Sequence, residues 1–239
     1  MPNFTFLTAE WRYLAMLNFA VQPDVLKPFV PAGTELDFFL ERTLLSVVGF
    51  RFLRTRVFGL PIPLHTDFEE VNLRFYVRRQ TADGWRRGVV FIRELVPRRA
   101  IAFLARTVYG EPYTALPMRH RIEHSPAGVR VEYAWRRRGR WESLRMEGTG
   151  EAREIEPGSE EEFITEHYWG YTARPGGGCN EYEVEHPRWR VWRGAEATLE
   201  ADVTGLYGET FAESLTAPAT SAFIAHGSTI AVRGKSLLI

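Results

Sequence analysis

Between Glu70 and Val77 the chain alternates without a break. Val71, Leu73, Phe75 and Val77 are apolar, whereas Glu70, Asn72, Arg74 and Tyr76 carry polar atoms. Successive strand residues point to opposite faces, so this spacing predicts a β-strand with an apolar side and a polar side. Thr81-Ala82-Asp83-Gly84 is a turn signal, and residues 85–95 predict the second arm of a hairpin. The apolar run at 44–53 predicts a strand buried on both faces. From 98 to 109 the period changes, and Ile101, Leu104, Ala105 and Val108 form a helical stripe.

Further strands are predicted at 13–21, 119–124, 129–136, 140–153, 167–172, 181–185, 188–193 and 195–203. Short helices are predicted from Pro23, at 158–166 and at 208–215. About ten strands with three or four helices predict an α+β fold around a curved, mostly antiparallel sheet or barrel. The polar side of 70–76 then either meets water, as in most antiparallel sheets, or lines an interior.

The chain has 239 residues, and a strand-rich unit of this size predicts one domain over 1–239. Hydrophobic residues at 45% and charged residues at 25% exclude a disordered chain. Thirty basic residues balance thirty acidic ones, so no net field favours nucleic acid or an anionic membrane as partner. The single cysteine, Cys179, and the lack of a secretory pattern predict a soluble, cytoplasmic protein. The other 28 of the 30 basic residues are arginines, leaving Lys27 and Lys235 as the only lysines.

Residues that often carry chemistry are weakly placed. His120 and His124 lie four apart on a predicted strand, roughly 13 Å from each other, too far to share a metal. His167 and His186 sit in aromatic-rich segments where packing with a hydrogen bond is the simpler role. Cys179 follows three glycines in what reads as a loop, with no base beside it. No nucleophile elbow or phosphate loop occurs, and no metal or cofactor is expected.

Several segments carry a resemblance. Tyr-Leu-Ala-Met-Leu-Asn at 13–18 and Lys27-Pro28-Phe29-Val30-Pro31-Ala32-Gly33 are similar to the opening of the acetoacetate decarboxylase superfamily. Phe68-Glu69-Glu70-Val71-Asn72-Leu73, Glu111-Pro112-Tyr113-Thr114-Ala115 and Glu166-His167-Tyr168-Trp169-Gly170-Tyr171 resemble its uncharacterised bacterial YqjF-like branch. The resemblance implies a cone-shaped β-barrel with peripheral helices and the active site inside, so Glu70, Asn72, Arg74 and Tyr76 would face a cavity. The decarboxylase forms a Schiff base on a lysine whose pKa is lowered by a second cation beside it, which frees the amine to attack a ketone. The matching positions here hold Tyr113 and Thr114, and a phenol forms no imine.

The resemblance further implies that Arg12 holds a substrate carboxylate, since a guanidinium fork pairs both oxygens. It sets Glu70, or Glu69, near a pocket glutamate, and a second family glutamate falls near Ser46 or Val47 and is absent. The expected ligand is a small oxo or carboxylic acid. A lyase-like enzyme would use Glu70 as acid or base, Tyr113 as donor or relay, and Arg12, Asn72, Arg74 and Thr114 for binding. The alternative is a noncatalytic small-molecule-binding or regulatory module, and homo-oligomerisation is left open.

Overall fold

The polar side of the alternating segment does not meet water. In strand Phe68–Thr81, Val71, Leu73, Phe75 and Val77 pack into one apolar layer, while Glu70, Asn72 and Tyr76 are buried on the opposite side. Closure of the sheet is the reason. A computed structural model describes residues 4–238. Seven of its strands pair in a circuit: β1 (Thr5–Val21), β2 (Thr43–Val57), β3 (Phe68–Thr81), β4 (Gly84–Val96), β5 (Trp169–Ala173), β6 (Cys179–Glu185) and β7 (Ser221–Arg233). β7 returns to β1, so each strand has a neighbour on both sides.

Long antiparallel ladders build most of the ring, from Leu7↔Val57 to Val21↔Thr43 between β1 and β2, and from Val71↔Leu95 to Thr81↔Gly84 between β3 and β4. Two short seams complete it. β5 pairs β4 in parallel through Trp169↔Gly88 and Gly170↔Val89, and β6 meets β7 at Val184↔Val232 and Glu185↔Ala231. The sheet is therefore mixed, though mostly antiparallel.

Outside the ring, strands Met118–Ser125, Gly128–Arg137 and Arg140–Thr149 form a second layer. Strand Arg190–Glu200 joins the layers: Val191–Arg193 pair with β7, and Glu196–Glu200 pair with Arg140–Thr149. Sequence predicted two strands here, and pairing to different partners at the two ends is why one long strand looks divided. Tyr133, Trp135 and Leu144 of the second layer pack with Val71, Leu73 and Phe75. Helices Val203–Tyr207 and Glu209–Thr216 add Leu206, Phe211 and Leu215 to that core.

Helix α1 (Arg99–Val108) matches its predicted stripe and lies over the ring interior. Cys179 is not in a loop: it opens β6, is buried, and donates to the Ala32 carbonyl. Burial pushes its thiol up to about 11, which removes it from thiolate chemistry near neutral pH. No described helix is long and apolar enough to cross a membrane.

The β4–β5 seam depends on a missing side chain. A Cβ on Gly88 would lie 2.6 Å from the Trp169 carbonyl oxygen and 2.6 Å from Tyr171 Cε2. Gly88→Ala is therefore expected to destabilise the fold by roughly 1–3 kcal/mol through overpacking. A thermal melt should drop by several degrees, and an unchanged midpoint would mean the seam does not need this close approach.

Candidate functional site

The inner face of the ring encloses a cavity of ≈ 150 Å³. Its walls are aromatic and aliphatic at one end, with Trp11, Phe50, Phe52, Phe68 and Trp189 from the strands and Ile101 and Leu104 from α1. Phe52 stacks on Phe68 with centroids 4.6 Å apart, and His186 stacks on Trp189 at 4.2 Å. The polar part of the lining comes mainly from β3, β4 and the segment after α1.

That polar wall is a cross-strand row. Asn72 of β3 pairs with Glu94 of β4, and Glu94 pairs in turn with Tyr113 of the short strand Tyr113–Ala115. Glu70, two residues before Asn72, shares its face. The Tyr113 hydroxyl donates to Glu70 Oε2 at 2.8 Å, and Asn72 Nδ2 donates to Glu70 Oε1 at 3.0 Å. Glu111 enters from the turn before Tyr113, and its Oε1 accepts from Tyr182 at 2.8 Å and from Thr172. Gly170 leaves room for this contact, because a Cβ there would lie 2.1 Å from Tyr182 Cζ.

Three carboxyl groups thus share a dry wall. Burial pushes Glu70 up to about 7, against hydrogen bonds from Asn72 and Tyr113 that favour its ionised form. Burial, reinforced by Glu111 and Glu70, raises Glu94 well above the ordinary carboxylate range. Glu111 is likewise pushed up to about 7 by burial, with Thr172 and Tyr182 opposing and Glu70 adding repulsion. Burial thus biases Glu94 toward its protonated form, while Glu70 and Glu111 are poised near neutrality between their two forms. Burial and the neighbouring carboxylates also keep Tyr113 a phenol.

The cavity contains one arginine. Arg74 is 9% exposed, its Nη2 reaches the Ile164 carbonyl at 3.5 Å, and its Nε has no hydrogen-bond partner in the protein. Among the described residues no carboxylate forms an ion pair with it. Asn72 Oδ1, Glu94 Oε2, Glu111 Oε2 and His167 Nδ1 are also buried without partners, and all belong to lining residues.

Glu70, Asn72, Arg74 and Tyr113 therefore come together, and Arg12 and Thr114 stand apart from them. The corrections share one cause. Trp11 turns into the cavity, so its neighbour Arg12 points away, where Nε bonds Glu10 at 2.9 Å and Nη1 bonds the Gly227 carbonyl at 3.2 Å. Tyr113 turns inward, so Thr114 faces the other way and accepts from Arg93 at 3.3 Å. Glu69 likewise leaves the cavity and pairs with His120 at 2.5 Å. Both lysines are outside it: Lys27 is exposed beside Asp24, and Lys235 donates to the Val108 carbonyl.

Glu94, Glu111, Tyr182 and His167 are the site residues that sequence reasoning passed over. A signal existed for one of them. Arg93 and Glu94 together interrupt an otherwise apolar strand end, Val89 to Val96, and Glu94 is buried. The others become neighbours only when β5 and β6 close the ring.

The family model for DUF2071, an uncharacterised conserved protein family, matches residues 8–229. The chain belongs to the DUF2071 family. It is 27% identical over 209 residues to the uncharacterised protein YqjF of Bacillus subtilis (strain 168), covering 85% of this chain and 82% of that one. Among solved structures it resembles the enduracididine biosynthesis enzyme MppR complexed with pyruvate, at a TM-score of 0.70 and 15% identity over 99% of this chain and 91% of that one. It also resembles acetoacetate decarboxylase from Legionella pneumophila, at 0.66 and 13% over 98% and 87% of the two chains. At these identities the structures establish a shared fold, the acetoacetate decarboxylase-like one that the sequence resemblance implies.

The raised carboxyls have a measurable consequence. Each binds a proton more tightly in the folded chain than at its ordinary value of 4.5, so stability is fully present below that pH. It is lost as pH rises through about 7, the folded value of Glu70 and Glu111. Glu94→Gln and Glu111→Gln, which cannot ionise, should flatten this decline, with Glu111→Gln exceeding the wild type at pH 8 by on the order of 2 kcal/mol. Denaturant melts at several pH values give the answer. Parallel curves for variants and wild type would remove these carboxyls as the cause.

Proposed function

We propose that this DUF2071 protein is an enzyme that moves a proton on a small oxo or carboxylic acid bound inside the ring, without forming an imine. The observation that carries the reading is Tyr113, which stands between Glu70 and Glu94 in a buried cavity that also holds the unpaired Arg74. In the acetoacetate decarboxylase resemblance, this phenol takes the place of the reactive lysine. The size of the cavity supports a ligand of few heavy atoms, since an engineered apolar cavity near 150 Å³ holds benzene.

Electrostatics divides the ligand between the two parts of the polar wall. A carboxylate is repelled by Glu70, Glu94 and Glu111 and attracted by Arg74, so it pairs with the guanidinium there. Its carbonyl then faces the carboxyl wall. A neutral carboxylic acid donates a hydrogen bond to a developing oxyanion, and a second carboxyl with a pKa near neutrality accepts a proton from the adjacent carbon. Glu94 suits the first role and Glu70 the second. Tyr113 links the two, so a proton gained by Glu70 can be handed on and returned to carbon or solvent. No electron acceptor enters the cycle: a C–H bond breaks, an enol-type intermediate forms, and reprotonation restores the carbonyl.

The location of the two lysines supports the imine-free part of the reading. With Lys27 and Lys235 outside the cavity, no lysine among the described residues meets a carbonyl carbon there.

Two measurements test this function. Borohydride reduction in the presence of pyruvate or acetoacetate, followed by intact mass, should leave the protein unmodified, and a stoichiometric adduct on Lys27 or Lys235 would overturn it. Deuterium uptake at the carbon beside the carbonyl of small oxo acids, followed by NMR in D₂O, should be catalysed by the wild type. Glu70→Gln should slow it about a hundredfold or more, the usual contribution of a general base. Acids that bind without exchanging would mark a noncatalytic binding module instead.

A further inference from the structure

Beside Arg74 the cavity holds an acceptor that the proposed proton transfer does not use. His167 follows helix Glu160–Thr165, and its side chain is 1% exposed. Its Nε2 lies 3.2 Å from Asp37 Oδ2, and the same oxygen accepts from Arg87 Nε at 2.7 Å. Burial opposes ionisation of Asp37, but the hydrogen bonds from His167 and Arg87 outweigh it and hold the carboxyl below its ordinary value. A carboxylate only accepts, so Nε2 must carry the hydrogen. Burial pushes His167 down to about 4, so near neutral pH the ring carries no second proton. Nδ1 is then a bare lone pair by elimination. His167 lines the cavity, and this buried nitrogen has no hydrogen-bond partner in the protein.

This lone pair has company. Asn72 commits its Nδ2 to Glu70, which leaves Oδ1 as a second buried acceptor without a partner. Arg74 lies two residues along the same face of β3, with its own Nε–H unmatched. Tyr76 connects Arg74 to His167: the guanidinium lies 5.7 Å from its ring centroid, and the His167 ring lies 4.7 Å away. One buried donor with a positive charge therefore sits among two buried acceptors.

We infer that this end of the cavity selects an acid bearing a hydroxyl group, with the carboxylate on Arg74 and the hydroxyl donating to His167 Nδ1. The inference rests on the functional reading above and narrows its ligand class. An anion alone would satisfy Arg74 and leave both acceptors unmatched, which is costly in a dry site. An ammonium would also donate to His167, but it would sit against the Arg74 charge. A hydroxyl supplies the hydrogen without that repulsion. The Asp37–His167 contact makes the acceptor rigid, because it fixes both the tautomer and the ring orientation.

Two substitutions separate this role from a structural one. Glutamine can keep a donor toward Asp37 but offers nothing where Nδ1 was, whereas asparagine keeps an acceptor near Nδ1 and gives up Asp37. Affinities for a 2-hydroxy acid and the matching acid without the hydroxyl, lactate against propionate, should be measured by calorimetry on folded wild type, H167Q and H167N. The wild type should prefer the hydroxy acid about three- to tenfold, the scale of one hydrogen bond. H167Q should lose the preference with propionate affinity unchanged, and H167N should retain it.

A preference kept by H167Q, or absent from the wild type although both acids bind, overturns this inference and leaves the functional reading standing. Binding of neither acid overturns both. Should the variants fail to fold, wild type labelled with ¹⁵N-histidine decides. Its Nδ1 resonance should move with lactate and stay with propionate, and equal responses to the two acids would count against the hydroxyl contact.

Discussion

The ring closes through two seams of only two residue pairs each, Trp169↔Gly88 with Gly170↔Val89 and Val184↔Val232 with Glu185↔Ala231. Long ladders elsewhere would form a curved sheet without them, but its concave face would admit water. Closed, the circuit takes Glu70, Glu94 and Glu111 to exposures of 2%, 1% and 4%, and that dryness is the leading cause of each raised pKa. The same closure brings Tyr182 and Thr172 against Glu111 and places His167 on the cavity wall. Acid–base character in this protein is a property of the closed ring rather than of any one strand.

Within the closed ring, parity decides which side chain enters. Val89 and Phe91 of β4 line the cavity, and strict alternation would next bring in Arg93. The register with β3 shifts by one between Leu73↔Arg93 and Arg74↔Phe91, so Ile92 is an extra residue and Glu94 turns inward instead. Arg93 is sent out to Thr114. One bulge thus exchanges a cation for an acid at the centre of the site. A comparable irregularity lies in β1, where Tyr13 has φ 54 and pairing shifts between Arg12 and Ala15.

These irregularities mark how far the sequence could be read. The alternation from Glu70 to Val77 gave the correct strand and the correct two faces, and the stripe from Ile101 to Val108 gave the helix. Whether the polar face met water was not contained in that pattern, because a half-exposed strand and a strand lining a polar cavity alternate alike. The resemblance implied an interior and pointed to Tyr113, which lines the cavity. It misplaced Arg12, since one position along a strand separates the cavity from the opposite face. The inward turn of Glu94 was not legible, because a bulge leaves no mark in hydrophobic periodicity. His167 packs among aromatics with a hydrogen bond as its sequence setting suggested, but its partner Asp37, 130 residues away in sequence, was not legible.

The electrostatics of this cavity are the inverse of those around an activated lysine. A lysine activated by a second cation works by storing positive charge, which lowers its pKa and frees the amine. Here Tyr113 stands among Glu70, Glu94 and Glu111, with Arg74 as the one cation lining the cavity among the described residues. Three carboxylates and one guanidinium would leave a net charge of −2 in a dry interior, and the wall escapes that cost by holding protons. Protonation is therefore part of the resting state. Asn72 and Tyr113 favour ionised Glu70 through hydrogen bonds, and Arg74 adds the one cationic attraction. Any ligand that pairs with Arg74 cancels that attraction, so an entering anion draws protons toward the wall. A cation would have the opposite effect. Ligand charge and proton count are coupled in this cavity through Arg74.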